Sequence, residues 1–305
     1  MTAVWRDLRG AEAGRVFRAA VQAHWAARIA GAFGKALARP EDDWGHVSLS
    51  WIEHAGAFWG APSEPGGLRT GLSLTPLALH AGQPAGEAET LDLAGLSPQE
   101  AHAWLESVLR VRMGEEAAAL LEPPEPDAAH PEATAPADSS GAPPDDEALA
   151  ALEAWFSNAS GLLLALASDN PNASPVRCWP HHFDIATLIT LDPDADPETA
   201  RSVGVGFSAG DGGHPEPYAY VLPWPRPGAD AEPRPFSGAG EWVSDDWFGA
   251  RVSRSALMAA GGSEAQQAAT ATFIREAVRE AYRLIGGEQP GEMLHTRPAR
   301  EETGS

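Results

Sequence analysis

The side chains with the most evident chemistry in this chain are two histidines and an aspartate in the segment WPHHFD. His181, His182 and Asp184 follow Trp179 and Pro180 directly. If a strand begins at His181, alternation places His182 and Asp184 on one face, with about 6.6 Å between their α-carbons. A histidine and a carboxylate at that spacing can share a metal ion, or the carboxylate can orient the imidazole.

More candidate ligands lie in GFSAGDGGHPEPYAYV, in a loop between two predicted strands. The loop carries Asp211, His214 and Glu216. Because His214 and Glu216 each precede a proline, their backbone is biased to extended geometry and the loop presents them stiffly. We therefore expect this loop, residues 208–217, to fold over the start of the strand at His181.

Such a fold would gather nitrogen and oxygen ligands suited to a divalent transition metal such as zinc, manganese or iron. In this hypothesis His182, His214 and Glu216 are the ligands, and Asp184 orients a ligand or acts as a catalytic base. The surrounding pocket would be formed by Trp179, His181, Asp211, Tyr218 and Tyr220. The alternative left open is that His182 pairs with Asp184 or a backbone carbonyl, and the acids of the loop cap turns.

Three other motifs give weaker indications of chemistry. The stretch GFSAG around Ser208 matches the GxSxG pattern of serine hydrolases, but the following residues have no helical period, and the motif needs a helix there. Cys178, on an extended segment, is more typical of packing than of a nucleophile. Tryptophans beside prolines or acids, such as Trp224, resemble sugar-stacking platforms but more often close small apolar clusters.

Composition restricts the partners. The formal charge of −22, from 21 basic and 43 acidic residues, disfavours nucleic acid. A single cysteine excludes an internal disulfide and fits a reducing compartment. The longest apolar run, GLLLALA, is too short to span a bilayer, and the N-terminal residues have no apolar core of signal-peptide length. We expect a cytoplasmic protein that does not enter a membrane, with a small molecule or a protein as its partner.

Hydrophobic periodicity predicts helices near residues 11–38, 97–113, 146–167 and 263–285. The second of these begins with a capping box, Ser97 and Glu100 around Pro98. Alternation predicts strands in WGHVSLSW, LRTGLSLTPLALH and ETLDL, and then near residues 181–191, 203–207, 218–222 and 248–252. The order helix, strands, helix therefore occurs twice.

This order predicts an α+β fold of two similar helix–strands–helix units, with antiparallel sheets that pack face to face. The first unit would span residues 1–121 and the second residues 148–287. Between them, residues 122–147 are rich in proline and acids and are expected to form an extended linker. The polar residues 288–305 are expected to form a disordered tail.

The segments SPVRCWPHHFDIA and VGFSAGDGGHPEPYAYVLPWP, followed by a short strand and a final helix, resemble a bacterial family known only as a domain of unknown function. Its signatures here are WPHHFD and GxPEPYxYxxP. The resemblance implies a shared fold and a cytoplasmic bacterial setting, with no activity, cofactor or partner to transfer. It also implies structural roles for Phe183, Asp184 and the Pro-Tyr segment.

Two functional hypotheses follow. The first is a small-molecule or metal-binding protein with a His/Asp/Glu pocket, extending to a metal-dependent hydrolase. The second is a scaffold without catalysis, which binds protein partners through its acidic segment and aromatic surfaces. The sequence leaves open whether the protein is an enzyme.

Overall fold

The computed structural model of the protein describes residues 4–124, 145–196, 199–228, 230–244, 247–288, 291 and 293–294. Its helices are α1 (Ala13–Leu37), α2 (Pro98–Met113), α3 (Glu115–Ala118), α4 (Asp146–Asp169), α5 (Arg254–Met258) and α6 (Ser263–Leu284). Its strands are β1 (Leu49–Ile52), β2 (Ala57–Gly60), β3 (Arg69–Ser73), β4 (Ala78–Gly82), β5 (Ala88–Asp92), β6 (Arg177–Trp179), β7 (Asp184–Thr190), β8 (Ser202–Ser208), β9 (Tyr218–Trp224), β10 (Glu241–Val243) and β11 (Gly249–Ser253).

These strands form one antiparallel sheet in the order β10-β11-β9-β8-β7-β6-β1-β2-β3-β4-β5. The predicted α+β class with antiparallel strands is confirmed. The expected face-to-face packing of two sheets is not found in the described residues, because β1 and β6 pair edge to edge, with Leu49 opposite Cys178. The strands of both halves therefore share one sheet.

The long helices pack on one face of this sheet. Helix α1 contacts β2 and β3, α4 contacts β1, β7 and β8, and α6 contacts β8, β9 and β11. Strand alternation matches this arrangement, because Val203, Val205 and Phe207 of β8 are fully buried in the core. The intervening residues of β8, among them Gly204 and Gly206, face the opposite side, which we call the helix-free face.

Helix α4 is the one helix in the described residues that is long and apolar enough to cross a membrane. Of its most apolar window, 72% is buried inside the fold. Trp155, Phe156 and Leu163 of this helix lie in the core. That degree of burial is the pattern of a core helix.

The helix ends follow the predicted capping chemistry where side chains supply it. Ser97 and Glu100 form the predicted capping box at the start of α2. Asp145 caps α4 by accepting a hydrogen bond from the backbone N–H of Ala148. Asp145 also pairs with Arg15 of α1 at 2.6 Å, which joins the starts of the two longest helices.

The predicted boundaries of the linker and of the tail differ from those in the structure. The predicted linker, 122–147, lies largely outside the described residues, but its last residues belong to the start of α4. Most of the predicted tail also lies outside them. Within the tail, Met293 and Leu294 are buried, and the N–H of Leu294 donates to Asp169 at 2.9 Å. Apolar burial therefore reaches beyond the predicted end of the second unit.

The N-terminal segment ties the two halves together. The N–H of Leu8 donates to Gln266 at 2.8 Å, and the guanidinium of Arg254 donates to the carbonyl oxygens of Leu8 and Ala11. Gln266 and Arg254 are almost completely buried. Since buried polar groups are costly without hydrogen bonds, these contacts fix residues 8–11 against α5 and α6.

Candidate functional site

The WPHHFD segment forms a tight turn, so the predicted strand start at His181 is wrong. Strand β6 ends at Trp179 and β7 begins at Asp184, and these two residues pair directly. The N–H groups of His182 and Phe183 both donate to the carbonyl of Trp179. His181 and His182 are therefore exposed turn residues, and His182 does not share a strand face with Asp184.

Phe183 explains why the turn forms here. Its backbone has φ 53°, in the left-handed region, and its side chain is 1% exposed. The ring lies 5.0 Å from Phe156, 6.0 Å from Phe58 and 5.6 Å from His24. Burial of an aromatic ring of this size offsets the strain of the turn. The structural role inferred for Phe183 is thus consistent with its position in the core.

Asp184 and Tyr220 form the centre of a polar cluster on the helix-free face. The phenol of Tyr220 on β9 donates a short hydrogen bond to Asp184 Oδ2 on β7, across the intervening strand β8. Gly206 of β8 lies opposite Tyr220, and the absence of a side chain there lets the Tyr220 ring cross β8. A Cβ at position 206 would lie only 2.8 Å from the ring atom Cε1. Burial, followed by the charge of Asp184, raises the pKa of Tyr220 well above 10.0.

The loop between β8 and β9 adds a second phenol–carboxylate pair. Tyr218 donates to Asp211 Oδ2 at 2.8 Å, and Asp211 Oδ1 accepts the N–H groups of Gly213 and His214. The imidazole Nδ1 of His214 lies 3.7 Å from Asp211 Oδ1. Burial, with the nearby charge of Asp211, raises the pKa of Tyr218. Three of the predicted pocket residues, Asp211, Tyr218 and Tyr220, are thus neighbours of the predicted ligand His214 and of Asp184.

The predicted metal site is not formed. Glu216 accepts hydrogen bonds from the hydroxyl and N–H of Ser255, at 3.1 and 3.3 Å, which holds it at the first turn of α5. Among the described residues, no three His, Cys, Asp or Glu side chains lie close enough to hold a metal ion. His182, His214 and Glu216 are all described, so the prediction of these ligands is corrected. The physical reason is that the three predicted ligands are held in different places. His182 lies in the turn, His214 lies beside Asp211 in the loop, and Glu216 bonds to Ser255 of α5.

The remaining motifs have structural roles. Cys178 is fully buried, and burial raises its pKa well above 9.0, which is the condition of an inert thiol. Ser208 ends β8 and is followed by the loop and β9, so the strand–turn–helix of a serine nucleophile is missing. Its carbonyl accepts the indole N–H of Trp155 at 2.9 Å. Trp179 packs edge-on against His181, with 6.1 Å between ring centroids.

An open cavity of about 540 Å³ lies on the other side of the same turn. It is lined by Arg28, Gly31, Ala32, Lys35, Ala36, Trp44, Val47, Leu120, Glu122, Pro123, Pro124, Pro180 and His181. The five residues from α1 follow the pattern i, i+3, i+4, i+7 and i+8, which places them on one face of the helix. Two small alanines form the floor, and a Cβ at Gly31 would lie 2.8 Å from Pro180, so the turn packs directly on α1.

Trp44 forms an aromatic wall of the cavity. It has φ 60°, which is unfavourable for a bulky residue, and it remains 61% exposed. The backbone around it is fixed, because its N–H donates to the carbonyl of Glu41 and its carbonyl accepts the N–H of Val47. His46 stacks beside the indole, with 5.7 Å between ring centroids. An exposed aromatic ring whose backbone is held in place offers a flat face on which another ring could stack.

Basic side chains line this cavity, although the protein as a whole is strongly acidic. Two basic residues, Arg28 and Lys35, extend from α1, and Glu122 is the single acidic residue of the lining. Lys35 is the only lysine among the 21 basic residues of the chain. It forms no ion pair with any described carboxylate. Sequence reasoning missed this site, although the solitary lysine was visible as a signal.

The two regions differ in what they can do chemically. The Asp184–Tyr220 cluster holds two phenols with raised pKa values, and within the part of the chain that the structure describes its acids and histidine do not group as metal ligands. The cavity offers an apolar floor, an aromatic wall and cationic groups, which together can hold an organic molecule. Comparisons of this chain with protein-family models, with curated proteins and with solved structures find no match in any of the three.

Proposed function

We propose that this protein binds a small organic molecule in the cavity between α1, Trp44 and the turn at residues 180–183. The observation that carries the proposal is the cavity itself, with about 540 Å³ of space beside an exposed tryptophan held at φ 60°. Ligand sites in proteins have volumes of roughly 300 to 1,000 Å³ and combine apolar walls with a few polar groups. This cavity has both properties. Catalysis is not part of the proposal.

A neutral fluorescent probe tests this function. N-phenyl-1-naphthylamine fluoresces when it enters an apolar site, and we expect saturable binding to the full-length protein. Ala36→Phe should abolish the binding, because the added ring fills the floor of the cavity. Ala103→Phe, on the exposed side of α2, is the matched control and should bind the probe like the wild type. Equal binding by all three proteins, or by none, contradicts the proposal.

A second candidate function, protein binding, is favoured by an apolar strip on the helix-free face. Leu188 and Trp224 are 44% and 52% exposed, and Leu222 lies between them beside Gly204. We propose a second copy of the chain as the partner, held apart at low salt by the charge of −22. Sedimentation at high salt should show a dimer, and Trp224→Ser should be monomeric. A monomeric wild type at every salt concentration excludes self-association through this strip.

Three broader assignments remain proposals. They are membership of the bacterial family with the WPHHFD signature, a cytoplasmic location and an origin from two similar helix–strands–helix units. The origin from two units is supported by a repeated arrangement. Gly71 lies in β3 beneath the ring of Trp59, and Gly206 lies in β8 beneath the ring of Tyr220. Each of these strands is the third from the junction between β1 and β6. An experimental structure in which β1–β5 do not superpose on β6–β11 contradicts the two units. Cell fractionation tests the location.

A further inference from the structure

We infer that the ligand of the cavity is a planar, largely apolar anion, with its negative group at Lys35 and its ring against Trp44. This inference rests on the proposed binding function and goes further, because it names the chemical class. An aromatic carboxylate, sulfonate or phosphate ester has the required properties. The basic lining of the cavity supports the negative charge, and Trp44 supports the planar ring.

The anionic group is inferred from the position of the cations on α1. Arg28 and Lys35 are seven residues apart, two turns of the helix, so both lie on the face that lines the cavity. Lys35 forms no ion pair with the described carboxylates, and its ammonium is available to a ligand. In a chain of charge −22, the exposed ammonium of Lys35 at an apolar cavity opposes the general field of the protein and favours an anion locally.

The planar group is inferred from Trp44. Its indole is exposed at the cavity, while its backbone is held by hydrogen bonds on both sides and the ring of His46 lies beside it. A fixed aromatic face stacks well against another flat ring, and stacking adds affinity beyond the buried area. The alanines of the floor leave space at the side of α1, where a bulkier residue would close it.

Glu122 provides an internal check on the sign of the charge effect. It is the one acidic side chain of the lining and stands against the same cavity as Lys35. An anionic ligand is repelled by Glu122 and attracted by Lys35. Removing each charge should therefore change the affinity for an anion in opposite directions, whereas a neutral ligand should respond to neither.

The test compares two probes that differ by one sulfonate. We expect 8-anilinonaphthalene-1-sulfonate to bind the full-length protein about tenfold more tightly than neutral N-phenyl-1-naphthylamine, a difference of about 1.4 kcal/mol. Lys35→Gln should remove this preference, and Glu122→Gln should increase it. Arg39→Gln removes the same charge at an exposed position outside the lining and should leave the preference unchanged.

Protection of the solitary lysine gives a second readout. Reductive methylation modifies Lys35 and the α-amino group, and the sulfonate probe should protect Lys35 alone. If the neutral probe binds at the cavity but the sulfonate gives no gain, the charge inference fails and the binding function stands. If neither probe responds to Ala36→Phe, the binding function itself fails. Equal effects of Lys35→Gln and Arg39→Gln also overturn the inference.

Discussion

The Asp184–Tyr220 cluster and the cavity beside α1 lie on either side of one hairpin turn, yet they use their polar groups in opposite ways. In the cluster, the phenols of Tyr220 and Tyr218 donate to Asp184 and Asp211. At the cavity, Lys35 and Trp44 remain exposed. The tyrosines and aspartates that the sequence indicated as a site are thus hydrogen-bonded to one another. The open cavity is formed by residues that no sequence motif indicated. The comparison predicts that changes in the cluster alter stability and that changes at the cavity alter binding.

The largest effect is expected from Gly206→Ala in the cluster. The new Cβ would overlap the hydroxyl and Cζ of Tyr220 and lie 2.8 Å from its Cε1, so the ring must move away from Asp184. Overpacking and a broken buried hydrogen bond together should lower the free energy of unfolding by about 2–3 kcal/mol. Denaturant unfolding measures this.

Gly204→Ala is the matched control for that variant, two residues earlier on the same strand and face. Its Cβ would lie 3.7 Å from Leu222, an ordinary van der Waals distance. We expect a change of no more than about 0.5 kcal/mol, or a small gain from the reduced freedom of the unfolded chain. Equal losses in the two variants would show that Tyr220 does not depend on the space above Gly206.

A smaller effect is expected from Tyr220→Phe. The variant keeps the ring but removes the donor to Asp184, a carboxylate that is only 9% exposed. Loss of a hydrogen bond to a buried charged group should cost about 1–3 kcal/mol of unfolding free energy. Tyr218→Phe, whose partner Asp211 lies on the loop, should cost less. A larger loss in Tyr218→Phe would reverse the ranking of the two pairs.

The cluster should also make the protein sensitive to alkali. The pKa of Tyr220 is raised above 10.0 in the folded state, so its contribution to stability is complete below pH 10 and is lost as the pH rises further. The loss should reach about 1.4 kcal/mol per pH unit for each such group. The free energy of unfolding, measured between pH 8 and 11, should depend less on pH in Tyr220→Phe than in the wild type. The same pH dependence in both proteins would contradict a raised pKa of Tyr220.

The smallest effect on stability is expected at the cavity. Lys35 is exposed and without an ion pair among the described residues, so Lys35→Gln should change the free energy of unfolding by less than about 0.5 kcal/mol. The same variant should lose the preference for the sulfonate probe. A clear loss of stability in Lys35→Gln would make the lysine structural and would remove the contrast between the two regions.

Much of the fold could be predicted because its signals are local. The capping box of α2, the apolar stripe of α1 and the alternation in β8 each lie within one element, and the structure contains all three. The turn at WPHHFD could not be predicted in this way. The residues of this segment could locally form either a strand or a turn. The turn forms because Phe183 packs against Phe58 and Phe156, which are distant in the chain.

The candidate site was predicted only in part, for a similar reason. Asp184, Tyr220, Tyr218 and Asp211 are neighbours as expected, because their strands pair in order and the loop between them is short. The ligand set around them failed, since Glu216 bonds to Ser255 from a later helix. The cavity escaped prediction because its lining comes from α1, from Trp44, from the residues after α3 and from the turn.

The sequence by itself determined the four long helices, most of the strands, the acidic charge and the presence of a single lysine. These properties follow from composition and from short-range periodicity, which do not require knowledge of distant partners. The tertiary structure decided that β1 and β6 join the two halves into one sheet and that Lys35 and Trp44 face a common cavity. Such decisions depend on packing between residues far apart in the chain, where burial and excluded volume select among locally acceptable conformations.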